Sequence, residues 1–153
     1  MVDVRTLPDV MQKNLTALDC PVFENKPWVR GAPLKDRRVA MLSSAGLHLR
    51  SDQHFVGGDH SYRVIPNDTA PDDIVMSHIS VNFDRTAFQQ DFNVTFPLQH
   101  LADMEEEGLI GSVASNHYSF MGATDPRDME DDARHLAGVL KADQVDAVVL
   151  LPV

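Results

Sequence analysis

The segment from Asp125 to Val153 limits the fold more than any other part of the sequence. Pro126 to Ala142 predicts a helix, with Asp125 as N-cap, Pro126 at the first position, acidic residues in the first turns and Lys141 near the C-terminus. Met129, Ala133, Leu136, Ala137 and Leu140 form its apolar stripe. Val145-Asp-Ala-Val-Val-Leu-Leu-Pro-Val153 then reads as an apolar strand of the kind buried on both faces of a parallel sheet. A helix feeding such a strand is the second half of a crossover unit. The expected class is therefore α/β: a three-layer, mainly parallel, Rossmann-like sheet with helices on both faces.

Upstream segments fit that frame. Val39-Ala-Met-Leu42 is a short apolar run ending in the small-residue turn Ser43-Ser-Ala-Gly46, as a buried strand would. Asp73 to Ser80 is a second apolar run, and Ile110 to Val113 a weaker one. Pro97 to Glu107 has helical spacing, with Leu98, Leu101 and Met104 on one face and Gly108 as the stop. Residues 1–36 read as a proline-rich N-terminal extension, and residues 37–153 as the α/β domain. Pro8, Pro21, Pro27 and Pro33 interrupt the extension, and each biases the residue before it away from helix. A short helix is predicted over about Val10–Leu18. Trp28 is expected to bury on its own domain; the alternative is packing against another subunit.

Composition excludes several classes. With 13 Lys+Arg against 23 Asp+Glu in 153 residues, the net charge of −10 argues against binding a phosphate backbone, so no nucleic-acid partner is expected. One cysteine, Cys20, excludes an internal disulfide framework and a multi-cysteine metal or iron–sulfur site. Seven histidines show no recognised short ligand spacing, so no metal is assigned. No Gly-x-Ser-x-Gly elbow supports a serine hydrolase. The N-terminus lacks the pattern of an export signal, and no apolar run approaches the ~20 residues of a membrane span. The expected location is the cytoplasm, with no membrane partner.

Four polar clusters interrupt the apolar frame. Ser43-Ser-Ala-Gly-Leu-His48 follows the first strand; its small residues let backbone N–H groups face an anion, or simply form a turn. Gly57-Gly-Asp-His-Ser-Tyr-Arg63 is either a substrate loop or a solvated loop with internal hydrogen bonds. In the substrate reading Arg63 clamps a carboxylate and Asp59 orients His60. Ser77 to Arg85 places His78 and Ser80 on one side of an extended segment, with Asn82 beyond; the other reading of His78 is a hydrogen-bonded core residue. Asn116 to Thr124 brings His117 and Ser119 toward the predicted helix, as site residues or as a connector.

Together, Val39–His48, Gly58–Pro66, Ser77–Arg85, Asp91–Leu98 and His117–Gly122 resemble the glycine/sarcosine/betaine reductase selenoprotein B family, which includes the D-proline reductase selenoprotein subunit. The resemblance covers about Pro27 to Val153. It implies an oxidoreductase in which a selenocysteine or cysteine attacks carbon and displaces an amine, cleaving a C–N bond reductively. In that family the nucleophile follows a strand similar to Ala147–Pro152. The sequence is therefore expected to stop just before the redox motif, at a UGA selenocysteine codon, at a cut, or because the thiols sit on a separate chain. No residue matches the nucleophile, so this chain alone is expected to be inactive, with selenocysteine or cysteine thiols supplied downstream or by a partner.

The expected function is a subunit or fragment of a selenol- or thiol-dependent reductase acting on a small amino acid or betaine-like substrate. The alternative is a non-catalytic small-molecule-binding or subunit-interaction module on the same fold. The expected substrate-binding residues are Ser43, Ser44, Arg63 and Asn82. His60, His78 and His117 are the candidates for proton transfer to the leaving amine. A redox partner or companion subunit and a homo-oligomer are expected.

Overall fold

The structure is a computed structural model that describes residues 4–17, 19, 21–24, 26–80 and 85–153. In chain order its main elements are α1 (Asp9–Thr16), β1 (Arg38–Ser43), β2 (Leu47–Leu49), β3 (Arg63–Pro66), β4 (Ile74–Met76) and α2 (Thr86–Gln90). Then follow α3 (Leu98–Glu106), β5 (Ser112–Val113), β6 (Asn116–Ser119), α4 (Glu130–Ala142) and β7 (Ala147–Leu151).

β1 is the middle of the main sheet. On one side β7 runs parallel to it, from Val39↔Ala147 to Ser43↔Leu151. On the other side β5 and β6 follow one another, also parallel. The partner offset is 74 residues at Arg38↔Ser112 (112 − 38) and 76 at Leu42↔Tyr118 (118 − 42), so two extra residues bulge out near Ala114 and Ser115. β3 closes the far side antiparallel to β6. The sheet is therefore mixed. The second apolar run does not join it: β4 pairs antiparallel with β2 in a separate ribbon.

Strand alternation splits β1 between two cores. Val39 and Met41 face a cluster with Leu47, Ile65, Phe96, Leu101 and Val113. Leu42 faces Tyr118, Phe120 and Leu136, which bring in α4. Arg38 locks the base of this arrangement: it donates to the Asp143 carbonyl and carboxylate and to the Val113 carbonyl, each at 2.8 Å.

Besides the mixed sheet and the separate β2–β4 ribbon, three further features differ from expectation. α4 starts at Glu130, four residues after Pro126, because Asp125 does not cap it; Asp125 is gripped by the Arg127 backbone N–H (2.9 Å) and guanidinium (2.6 Å). The terminal apolar strand is an edge strand, not one covered on both faces: Val148, Val149 and Leu150 are exposed. Trp28 does not bury on its own domain and is 93% exposed. The described residues of α1 include no buried one, and no described helix is long and apolar enough to cross a membrane.

Candidate functional site

Parallel strands end together, so their carboxyl ends form a rim. Here the rim is Ser43 to Gly46 after β1, Phe120 to Gly122 after β6, and Leu151 to Val153 after β7. Ser44 holds it together. Its N–H donates to the Leu151 carbonyl (3.1 Å), its carbonyl accepts from Gly122 N–H (2.9 Å), and its hydroxyl accepts from Val153 N–H (2.9 Å). Gly122 is required for this closeness: a Cβ there would lie 2.7 Å from the Ser44 carbonyl oxygen. Ser43 points inward and is fully buried, accepting from Ala45 N–H at 3.2 Å and meeting the Thr95 carbonyl at 3.4 Å.

Gly46, with φ at +66°, turns the chain so that its carbonyl accepts Ser77 N–H (2.9 Å). This brings the segment after β4 onto the rim; a Cβ on Gly46 would sit 3.2 Å from the His78 backbone nitrogen. Ser77 is fixed further by His48. The His48 Nδ1 donates to the Leu49 carbonyl (2.7 Å), which leaves Nε2 to accept from the Ser77 hydroxyl (2.7 Å). His78 is buried. Its Nδ1 accepts from Ser80 N–H (3.2 Å), placing its ring proton on Nε2, and Arg85 donates to its carbonyl. Burial, and secondarily the Arg85 charge, pushes the His78 pKa down, so the ring is neutral near pH 7.

The loop from Gly57 to Arg63 leans on the same rim. Thr124 donates its hydroxyl to the Asp59 carbonyl at 2.7 Å, and Gly57 faces Ile79. Arg63 is a structural hub in this loop. It bonds the Asp59 carboxylate (2.8 Å), the Ser61 hydroxyl (2.7 Å) and the Gln53 carbonyl (3.0 Å), and its guanidinium lies 4.2 Å from the Phe55 ring centre. Burial pushes the Asp59 carboxyl up, but the hydrogen bonds from Ser61 and Arg63 outweigh it and hold it below its usual range. Asp59 therefore does not orient His60. Asp132 of α4 does, at 2.6 Å from His60 Nδ1, and that bond raises the pKa of this exposed imidazole. The loop borders an open cleft of about 460 Å³.

The seven candidates thus separate. Ser44 and His78 share the rim, Ser43 supports it from beneath, and His60 and Arg63 flank it. Asn82 lies outside the described residues, as does Cys20. His117 is elsewhere, in the sheet interior. Its Nδ1 accepts from Met41 N–H (3.0 Å), its Nε2 reaches Asn67 Oδ1 (3.3 Å), and Phe96 meets it edge-on. Burial lowers its pKa to about 4, against a weaker upward pull from Asp143. A neutral imidazole with both nitrogens engaged positions strands and is poorly suited to carry protons.

Sequence reasoning missed the His48–Ser77 bond, Gly46 as the hinge and Gly122 as the contact glycine. The glycines were the readable signal, each next to a polar cluster. Among the described residues no group of three or more His, Cys, Asp or Glu side chains is placed to hold a metal.

Residues 60–152 match the family model described as glycine/sarcosine/betaine reductase selenoprotein B. The D-proline reductase subunit gamma of Acetoanaerobium sticklandii is 35% identical over 120 residues, covering 76% of this chain and 49% of that protein. The chain thus spans about half the length of that curated relative. No solved structure matches. The family-model match takes in His60, Arg63, His78, Gly122 and β7 but begins after Ser43–Gly46, and together with the 35% identical relative it shows that the chain belongs to the glycine/sarcosine/betaine reductase selenoprotein B family.

Proposed function

We propose that this chain is the substrate-side subunit or segment of a selenol- or thiol-dependent reductase that cleaves the C–N bond of a small amino acid or betaine-like molecule. The single observation that carries the reading is the convergence of Ser44, His78 and the His60–Arg63 loop at the carboxyl ends of parallel strands, within a family match. The selenocysteine or cysteine thiols come from a downstream segment or a companion redox subunit in the cytoplasm.

The charge states divide the work. A neutral His78 with its proton on Nε2 suits a hydrogen-bond donor to a substrate oxygen. His60, whose pKa is raised by Asp132, suits proton delivery to the amine as it leaves with the bonding electron pair. His117 keeps β1 and β6 in register beneath them. Arg63 takes the substrate carboxylate by exchanging its Asp59 contact, and Ser43 and Ser44 shape the rim. Asn82 completes the substrate set. In the assembled enzyme, with a dithiol as electron donor, Arg63→Ala is expected to raise KM about tenfold or more. An unchanged KM removes Arg63 from the site.

The exposed β7 edge and extension favour a second reading, a non-catalytic interaction module. Its test is whether glycine, sarcosine, betaine or D-proline shifts the melting temperature without any dithiol-dependent turnover of the assembled protein.

A further inference from the structure

One buried titratable side chain has no part in the chemistry above. His48, in β2, is fully buried. Its Nδ1 donates to the Leu49 carbonyl and its Nε2 accepts from the Ser77 hydroxyl, each at 2.7 Å. The Leu49 carbonyl has a second donor, the Asp52 N–H at 3.0 Å, so it stays satisfied without the ring. The bond to Ser77 is therefore the polar contact that depends on a histidine here.

Two parts of the candidate site rest on what this ring touches. Ser77 is fixed twice, at its hydroxyl by His48 and at its N–H by the Gly46 carbonyl (2.9 Å), and it directly precedes His78. The same ring meets Phe55 edge-on, with centres 6.3 Å apart. Phe55 is buried, and the Arg63 guanidinium lies 4.2 Å from its ring centre. A phenylalanine at position 48 would serve only Phe55, and a glutamine only Ser77. Histidine serves both.

We propose that His48 is a positioning residue that joins the two halves of the candidate site. Its Nε2 holds the Ser77–His78 segment, and its ring supports Phe55, the seat of Arg63. Given the substrate roles proposed for His78 and Arg63, on which this rests, both polar contacts to the substrate are tied to one buried imidazole. The Arg63 side needs that support most when substrate is bound. Once a substrate carboxylate replaces Asp59, Arg63 keeps the Ser61 hydroxyl, the Gln53 carbonyl and the Phe55 face to fix its direction.

Two substitutions divide the uses of the ring. His48→Phe keeps a ring against Phe55 but removes the acceptor for Ser77. His48→Gln puts an amide oxygen near the Nε2 position, so Ser77 keeps an acceptor while Phe55 loses its neighbour. In NMR spectra of the whole chain, His48→Phe is expected to move the His78 ring signals and leave the Arg63 Nε–H signal in place. His48→Gln is expected to do the reverse. In the assembled enzyme with a dithiol donor, His48→Gln should raise KM about fivefold, as a weaker form of Arg63→Ala. His48→Phe should lower kcat about fivefold and change KM by no more than about twofold, because the carboxylate clamp stays intact. Ser77→Ala removes the same bond from its half-buried end, and should match His48→Phe in both readouts if that variant does not fold. Combining the two should cost no more than either alone. Both variants moving both sets of signals alike, or neither set, overturns the proposal. So do divided signals with unchanged kinetic constants, which would make His48 a core residue only. An assembled wild type that turns over no amine overturns the substrate reading and the positioning role with it. Divided signals in the whole chain then tell that outcome from a failure of His48 alone.

Discussion

β1 has two parallel neighbours with opposite surroundings. On the β6 side, Met41, Ser43, His117, Tyr118 and Ser119 are all buried, and polar groups there have partners inside the protein. On the β7 side the same backbone pairing carries three consecutive exposed apolar residues. Hydrogen-bond pairing alone therefore does not make a core. What differs is coverage: Phe96 packs against His117 and α4 packs over Tyr118 and Phe120, whereas on β7 only Ala147 and Leu151, at its two ends, pack against the core. The first flank is where substitutions should damage folding. The second is where they should cost little.

The largest effect is expected at His117. Replacing it with alanine removes a fully buried ring, leaves a cavity beside Phe96 and strips the Met41 N–H of its acceptor. The expected cost is about 3–4 kcal/mol in urea unfolding. A loss under ~1 kcal/mol would mean that water or a neighbour replaces the ring, and that the β6 flank is less closed than described.

pH probes the same residue without mutation. His117 titrates near 6.5 when unfolded and at about 4 when folded. The folded pKa is the lower one, so the unfolded chain binds the proton first. Stability is complete above pH 6.5 and falls as pH drops toward 4, by about 3 kcal/mol. His60 has the opposite sign: its pKa is raised, so its contribution is present below pH 6.5 and fades as pH rises through the folded value. Urea midpoints at pH 7, 5.5 and 4 read the first slope. A flat profile in wild type would show that His117 is not held neutral.

The contrast also explains what could be read from the chain. The strand at Val39–Leu42 and the helix ending at Ala142 were legible, because a buried apolar run and a 3.6-residue stripe are local patterns. The start of α4 was not, because Asp125 had two local uses and Arg127 took it. The β7 edge was misread because periodicity reports that a strand is apolar, not whether anything covers it. The histidines were separable only by partners far away in sequence. Met41 lies 76 residues from His117, and Asp132 lies 72 residues from His60. Asp59 stands beside His60 but spends its carboxylate on Ser61 and Arg63.

Between the two flanks lies Gly122. A methyl group there meets the Ser44 carbonyl at 2.7 Å and its Cβ at 3.0 Å. Both contacts lie on or next to the backbone, so the strand end must move. Gly122→Ala is expected to destabilise by about 1–3 kcal/mol and to disturb the rim that Ser44 holds. A neutral substitution would show that the rim is loose, and would weaken the case for a preformed site.

The smallest effect is expected at the edge. Within this chain Leu150→Ala should change unfolding free energy by no more than ~0.5 kcal/mol, since most of that side chain already faces water. Met41→Ala, one strand away and 1% exposed, should cost about 2–3 kcal/mol, at the lower end of such buried deletions. Both residues are apolar and both lie on paired strands of one sheet, so only coverage separates them. If Leu150→Ala proved as costly as Met41→Ala, β7 would be covered too. The division of β1 into a finished flank and an open one would then fail.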